Sequence, residues 1–245
     1  MKKKYLFYAL IFVISSATFA QEKTVKKSNQ QWLGYYTQLK LNEKWAVLTD
    51  FQYRWKDGFD QSAQFIIRSQ ASYKLDENLT VGAGFGYVGF YTDNDISRYE
   101  YRPYQEGVLK GKLLSLNFTQ RLRLEERFFH LKATAQNTFN FRFRYRLLTT
   151  IPIAKLSAKN LDFLLELSLG DEIFINAGKD VVTNIFDQNR FLIVPSVQVN
   201  KDLTITLVYN SQFGSTSMPD VFNQTNILWL TARHNLNFLA KKKSA

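Results

Sequence analysis

The stretch "NTFNFRFRYRLLTTIPI", residues 137–153, sets Phe139, Phe141, Phe143, Tyr145 and Leu147 on alternate positions, with Asn140, Arg142, Arg144 and Arg146 between them. A period of two belongs to a β-strand, whose successive side chains point to opposite faces; a helix would scatter the arginines around its axis. The segment is therefore a strand between two unlike environments, one oily and one able to hold charge.

The pattern recurs. In "LLSLNFTQRLRLEERFF" Leu114, Leu116, Phe118, Leu122, Leu124 and Phe128 alternate with Ser115, Asn117, Thr119, Arg121, Arg123, Glu125 and Arg127. Trp45, Val47, Phe51, Tyr53 and Trp55 alternate with Asp50, Gln52 and Arg54, and Leu161, Phe163, Leu165, Leu167 and Leu169 with Asp162, Glu166 and Ser168. From Leu79 to Tyr91 the second face is mostly glycine. Such runs exceed the average soluble strand of about 5 to 6 residues. A membrane barrel needs about 9 to 11 residues per crossing, with the apolar face toward lipid and the polar face inward. Backbone polarity then makes closure compulsory, because each unpaired N–H or C=O in lipid costs several kcal/mol.

Eleven runs are visible: 30–41, 45–55, 62–75, 79–91, 99–109, 113–128, 137–151, 161–175, 187–199, 203–212 and 224–239. Bacterial single-chain barrels use even numbers. The expected fold is all-β, an antiparallel transmembrane up-and-down β-barrel of about 12 strands, with 10 next. "NEK" at 42–44, "DEN" at 76–78, "KGK" at 110–112 and "NKD" at 200–202 read as tight turns, and "KDGFDQ", "TDNDIS" and "NAGKDVVTN" as longer loops. Pro195 removes a ladder donor and predicts a bulge or a rim position. The 245 residues contain no Pro/Gly/Ser-rich linker, so one domain is expected. Aromatics reach 16% while mean hydropathy is -0.25, as expected when half of each strand faces lipid.

The first twenty residues differ from the rest: Lys2, Lys3 and Lys4, then "YLFYALIFVI", then "SSATFA". Ten apolar residues are too few for a helical span of about 20, and the layout is that of a secretory signal peptide cleaved near Ala20. Cleavage there removes three lysines and no acid, lowering the formal charge from +11 to +8. A periplasmic segment, 21–29, would lead into a barrel at 30–240 and a basic tail at 241–245. With zero cysteines there is no disulfide framework and no thiolate metal site.

The segments "QQWLGYYTQLKLNEKW", "YEYRPYQE", "RLRLEERF", "FRFRYRLLTTIPI", "LGDEIFINAG" and "IFDQNRF", in this order, resemble the DUF2490 family, a domain of unknown function. The resemblance implies an outer-membrane β-barrel of a Gram-negative bacterium and implies no chemistry.

Glu100, Arg102, Glu106, Arg121, Arg123, Glu125, Arg127, Arg142, Arg144, Arg146, Asp162 and Glu166 are expected to form a lumenal charge network. In a narrow barrel such pairs fill and plug the interior; a ring of cations would instead favour anions. Asp171, Glu172, Asp187, Asn189 and Arg190 are expected at a rim. Trp45 and Trp55 share a face about 25 Å apart along the membrane normal, which suits the two edges of an aromatic girdle. The only histidines are His130 and His234, and neither carries a local hydrolase signature. "GAGFG" at 82–86 alternates within a strand and is no phosphate loop; its glycines read as small inward residues that make room for facing side chains.

The expected role is an envelope barrel or narrow anion pore with no cofactor or metal, in contact with outer-membrane lipids, lipopolysaccharide and the barrel-assembly machinery, and not with nucleic acid. Two alternatives remain: an outer-membrane lipid-modifying hydrolase using His130 or His234, and a soluble periplasmic lipid-binding barrel.

Overall fold

A computed structural model describes residues 23–157, 162–181 and 184–237. The expected signal peptide and basic tail lie outside these residues. The alternating runs form eleven strands: β1 Thr24–Lys40, β2 Trp45–Lys56, β3 Gln61–Lys74, β4 Leu79–Thr92, β5 Asp95–Leu113 and β6 Leu116–Leu131. They continue as β7 Asn137–Lys155, β8 Leu164–Ala177, β9 Phe186–Gln198, β10 Leu203–Ser215 and β11 Val221–Asn237. Each strand pairs with its sequence neighbours in an antiparallel ladder, and the sheet closes on itself.

The closed barrel has eleven strands, one fewer than parity suggested. Successive strands run in opposite directions, so with an odd number the first and last run the same way. β1 and β11 accordingly pair in parallel, from Thr24 opposite Val221 to Lys40 opposite Asn237. β1 begins at Thr24, so residues 24–29 are strand, paired with β11 alone; the ladder to β2 starts at Gln30.

The two faces separate as the alternation demands. Phe143 is 50% exposed on the outside of the wall, while Arg142 and Arg144 are each 7% exposed on the inside. The same holds around the ring: Leu33, Phe51, Ile67, Phe85, Leu122, Ile173, Phe191, Leu207 and Leu230 are exposed outward. Trp32, Gln52, Ile66, Glu100, Glu125, Phe174, Asn210 and Ile227 are buried inward.

Three turns at one mouth share one chemistry. The Asn42, Asp76 and Asn200 side chains each accept the backbone N–H groups two and three residues on, at 2.7–3.0 Å. The Asp76 carboxyl is held below the usual carboxylate range by the N–H groups of Asn78 and Leu79. Elsewhere the turns are tighter than the sequence suggested. "TDNDIS" is a two-residue hairpin whose Asp93 and Asn94 both have positive φ, 52° and 64°; Asp and Asn tolerate that conformation, which suits the twist of flanking strands. "KGK" lies inside β5, and the reversal falls at Leu114 and Ser115.

Pro195 sits at no bulge and lies three residues before the end of β9. β9 runs through it in constant register against β8, opposite Leu167. Against β10 the ladder is interrupted between Thr206–Ser196 and Tyr209–Ile193, again without a register shift. Pro103 marks a similar gap between β5 and β6. Gly82, Gly84 and Gly86 of β4 face inward and leave room for side chains from neighbouring strands, whereas Gly89 faces outward beneath the Phe65 ring. A Cβ on Gly84 would lie 2.6 Å from the Tyr104 ring and 2.5 Å from the Ser69 carbonyl.

Candidate functional site

The interior is built from charged rungs of β5–β8. Alternation brings Glu106, Arg121, Arg123, Glu125, Arg144 and Glu172 to one side of the wall, and register brings them together. Glu106 accepts from Arg123 Nε at 2.8 Å, and Arg123 lies 3.7 Å from Glu125. Glu125 accepts from Arg144 Nη1 at 2.6 Å, and Arg144 Nη2 donates to Glu172 at 2.7 Å. Glu172 also accepts from Arg121, whose other terminal nitrogen lies 3.9 Å from Glu106. The six residues thus close a ring in which cation and anion alternate.

Two arms extend it. Arg142 donates to Glu125 and, at 3.0 Å, to Asp187. Glu100 is gripped from both sides, by Arg102 and Arg127. On the opposite wall Arg68 makes a bidentate pair with Asp50. Such forks hold carboxylates more firmly than single contacts. Glu100 and Glu125 are wholly buried, so each depends on its arginines for solvation.

The other expected network members stand differently. Arg146 faces inward opposite Arg121 and Glu172 and joins none of these ion pairs. Glu166 lies opposite Pro152 and Ser196, away from the ring. Asp162 precedes β8 in a turn, outside the wall.

The expected rim cluster is split by the strand period. Asp171 points outward and is bonded by Asn189 at 2.7 Å, whereas Glu172 points into the charge ring. Asp187 stays near a mouth but turns inward to Arg142 at the irregularity beside Ile175. Arg190 reaches into the lumen, 4.7 Å from the Phe174 ring centroid and 5.3 Å from that of Trp32.

Arg54, noted in the sequence only as a polar rung, is the second cation on Trp32, at 3.6 Å. The strand period could have placed both arginines inside; nothing local pairs β2 with β9. Among the described residues neither has a carboxylate within 4.0 Å. By the triangle rule the two guanidinium carbons are no more than about 9 Å apart. At an effective dielectric of about 20, that spacing costs roughly 2 kcal/mol of repulsion.

Trp45 and Trp55 stand outward at opposite ends of β2, Trp45 against Tyr73 and Trp55 against Tyr53 and Phe59. An unbroken series of ring contacts continues from Tyr53 through Tyr91, Phe65, Tyr87 and Tyr101 to Phe85. His130 is outward near the same mouth, its Nδ1 2.9 Å from the Asn137 Oδ1. The residue opposite it on β5 is Tyr99, not a serine. His234 is outward near the other mouth, 3.3 Å from the Tyr35 hydroxyl.

The DUF2490 family model, described as a protein of unknown function, matches residues 29–223. The chain belongs to the DUF2490 family. No curated protein and no solved structure matches it. The match runs from β1 into β11, so in this DUF2490 chain it takes in the whole charge ring and both arginines on Trp32.

Proposed function

We propose that the chain is an outer-membrane β-barrel whose aromatic and aliphatic outer face meets acyl chains and whose lumen is closed by ion pairs, serving envelope architecture and not bulk permeation. One observation carries this reading: the outer face of a closed sheet is apolar all the way around, while the buried arginines and glutamates lie inside it. A water-soluble barrel has the reverse distribution, and closure leaves no unpaired edge for lipid to meet. The girdle of rings near one mouth is where a membrane–water boundary favours amphipathic aromatics. Lipids and lipopolysaccharide are then its immediate surroundings. The barrel-assembly machinery, which closes and inserts such sheets, is the proposed route into the membrane.

An alkaline wash of isolated membranes tests this: the protein is expected to stay in the pellet, and release into the supernatant would refute it. Planar-bilayer recording of the refolded barrel is expected to give no steady current, because the Arg/Glu ring spans β5–β8. A steady anion-selective current would replace the closed lumen with the narrow pore.

The hydrolase alternative has one observation in its favour, the outward His130–Asn137 pair beside an aromatic cleft formed by Tyr101, Phe128 and Phe139. It requires a nucleophile, and the cross-strand neighbours of His130 are Tyr99 and Asn137. Loss of phospholipid hydrolysis in His130→Ala with normal assembly would establish it. A soluble lipid carrier finds less support, since the continuous apolar surface of this barrel is turned outward.

A further inference from the structure

Two inward arginines that lie within 4.0 Å of no carboxylate among the described residues meet at one place, although Arg190 stands opposite Glu172 in the β8–β9 register. Arg54 comes from β2 and Arg190 from β9, strands separated by β1, β11 and β10, and both reach the same indole. Their side-chain hydrogen bonds go to neutral amides: Arg54 to Gln64 and Gln52, Arg190 to Gln212. The Nε of Arg54 is buried without an acceptor. Trp32 itself is 2% exposed and bonded to Gln30. In the same sector Asn210 is fully buried on β10 between Leu192 and Ile227, and neither its Nδ2 nor its Oδ1 has a partner.

Two guanidinium groups that repel each other, the Arg54 Nε–H and the Asn210 Nδ2 share one missing element, a compact acceptor with negative charge. Buried polar groups in native proteins are otherwise paired. A tetrahedral oxyanion at charge-assisted N–H···O distances of about 2.8 Å can bridge two guanidiniums at this spacing. The position suits a diffusible ligand. Arg54 is two residues from the end of β2 and Arg190 four from the start of β9, both toward the mouth that carries the 57–60 and 178–185 connections.

We infer that the lumen around Trp32 is a binding site for an oxyanion, a phosphate or a carboxylate group, held between Arg54 and Arg190 with Asn210 close by. The site does not depend on the membrane reading, because the arginines and the indole lie inside the wall wherever the barrel resides. The alkaline wash tests the one and an anion titration the other.

The full-length barrel, folded in detergent, would be titrated with inorganic phosphate at constant ionic strength, following tryptophan fluorescence and thermal midpoint. A saturable response in the millimolar range or below is expected, with a raised midpoint. Arg54→Gln and Arg190→Gln should each weaken it at least tenfold while remaining folded by circular dichroism. Arg233→Gln, which alters an inward arginine over Tyr36 outside the sector, should leave it unchanged. If either glutamine variant does not fold, Arg54→Lys or Arg190→Lys keeps the charge and removes the fork, and the same weakening is expected. No saturable response, or an equal response in all variants, overturns the site. A response to phosphatidic acid micelles with none to inorganic phosphate overturns its lumenal, diffusible character.

Discussion

Glu125 shows what a single residue does inside this wall. Its carboxylate has no accessible surface and is shared by Arg142 and Arg144, with Arg123 3.7 Å away. Glu125→Ala would leave those cations facing one another without water. The expected loss is about 3 to 5 kcal/mol, measured by denaturant unfolding in detergent. Asp171→Ala, two strands over and outward, removes the contact to Asn189 and should change stability by less than about 1 kcal/mol. The contrast was partly legible in the sequence, since alternation places Arg142 and Arg144 on the face opposite Phe141 and Phe143. It was missed where proximity overrode period: Asp171 and Glu172 are consecutive, and consecutive residues of a strand cannot share a face.

At the scale of elements, all eleven strands were visible as alternating runs, with ends displaced by a few residues. The Asx-type turns were visible too, because Asn or Asp beside short polar segments supplies its own acceptor for the reversing backbone. At Asp76 this makes the turn sensitive to acid. Its carboxyl titrates below its unfolded value of about 3.9, so the contribution is present above that pH and is lost as pH falls through the folded value. Protection of the Asn78 and Leu79 amides, taken as observed exchange relative to the intrinsic rate at each pH, should therefore fall on acidification in the native chain and not in Asp76→Asn. The two-residue turns were hidden for opposite reasons. Asp93 and Asn94 look like a loop because they are polar, and Leu114 looks like strand because it is apolar, yet it is 87% exposed with φ 55°. Pro195 is an element-scale interruption as well: Pro195→Val restores a donor within a constant register and should raise stability by about 1 kcal/mol in thermal or denaturant unfolding. An unchanged midpoint would mean that the gap opposite β10 has another cause.

The whole molecule is distinguished by its seam. The chain contains no cysteine, so an Asn29→Cys, Asn226→Cys pair reports on closure without competition. These positions are opposite in the parallel register of β1 and β11, and oxidation should join them, with a mobility shift on non-reducing gels. Asn29→Cys with Asn237→Cys, at the far end of β11, should not join. The reverse result would mean an antiparallel or shifted closure.

What the sequence by itself determined is the two-sidedness of every strand, and with it a closed wall with charge inside, because side-chain alternation is a property of the local backbone. Only the tertiary structure decided the number of strands in the ring, the parallel seam, the Arg/Glu cycle and the meeting of Arg54 with Arg190 on Trp32. Those depend on register offsets accumulated around the closed sheet, and no local segment records that total.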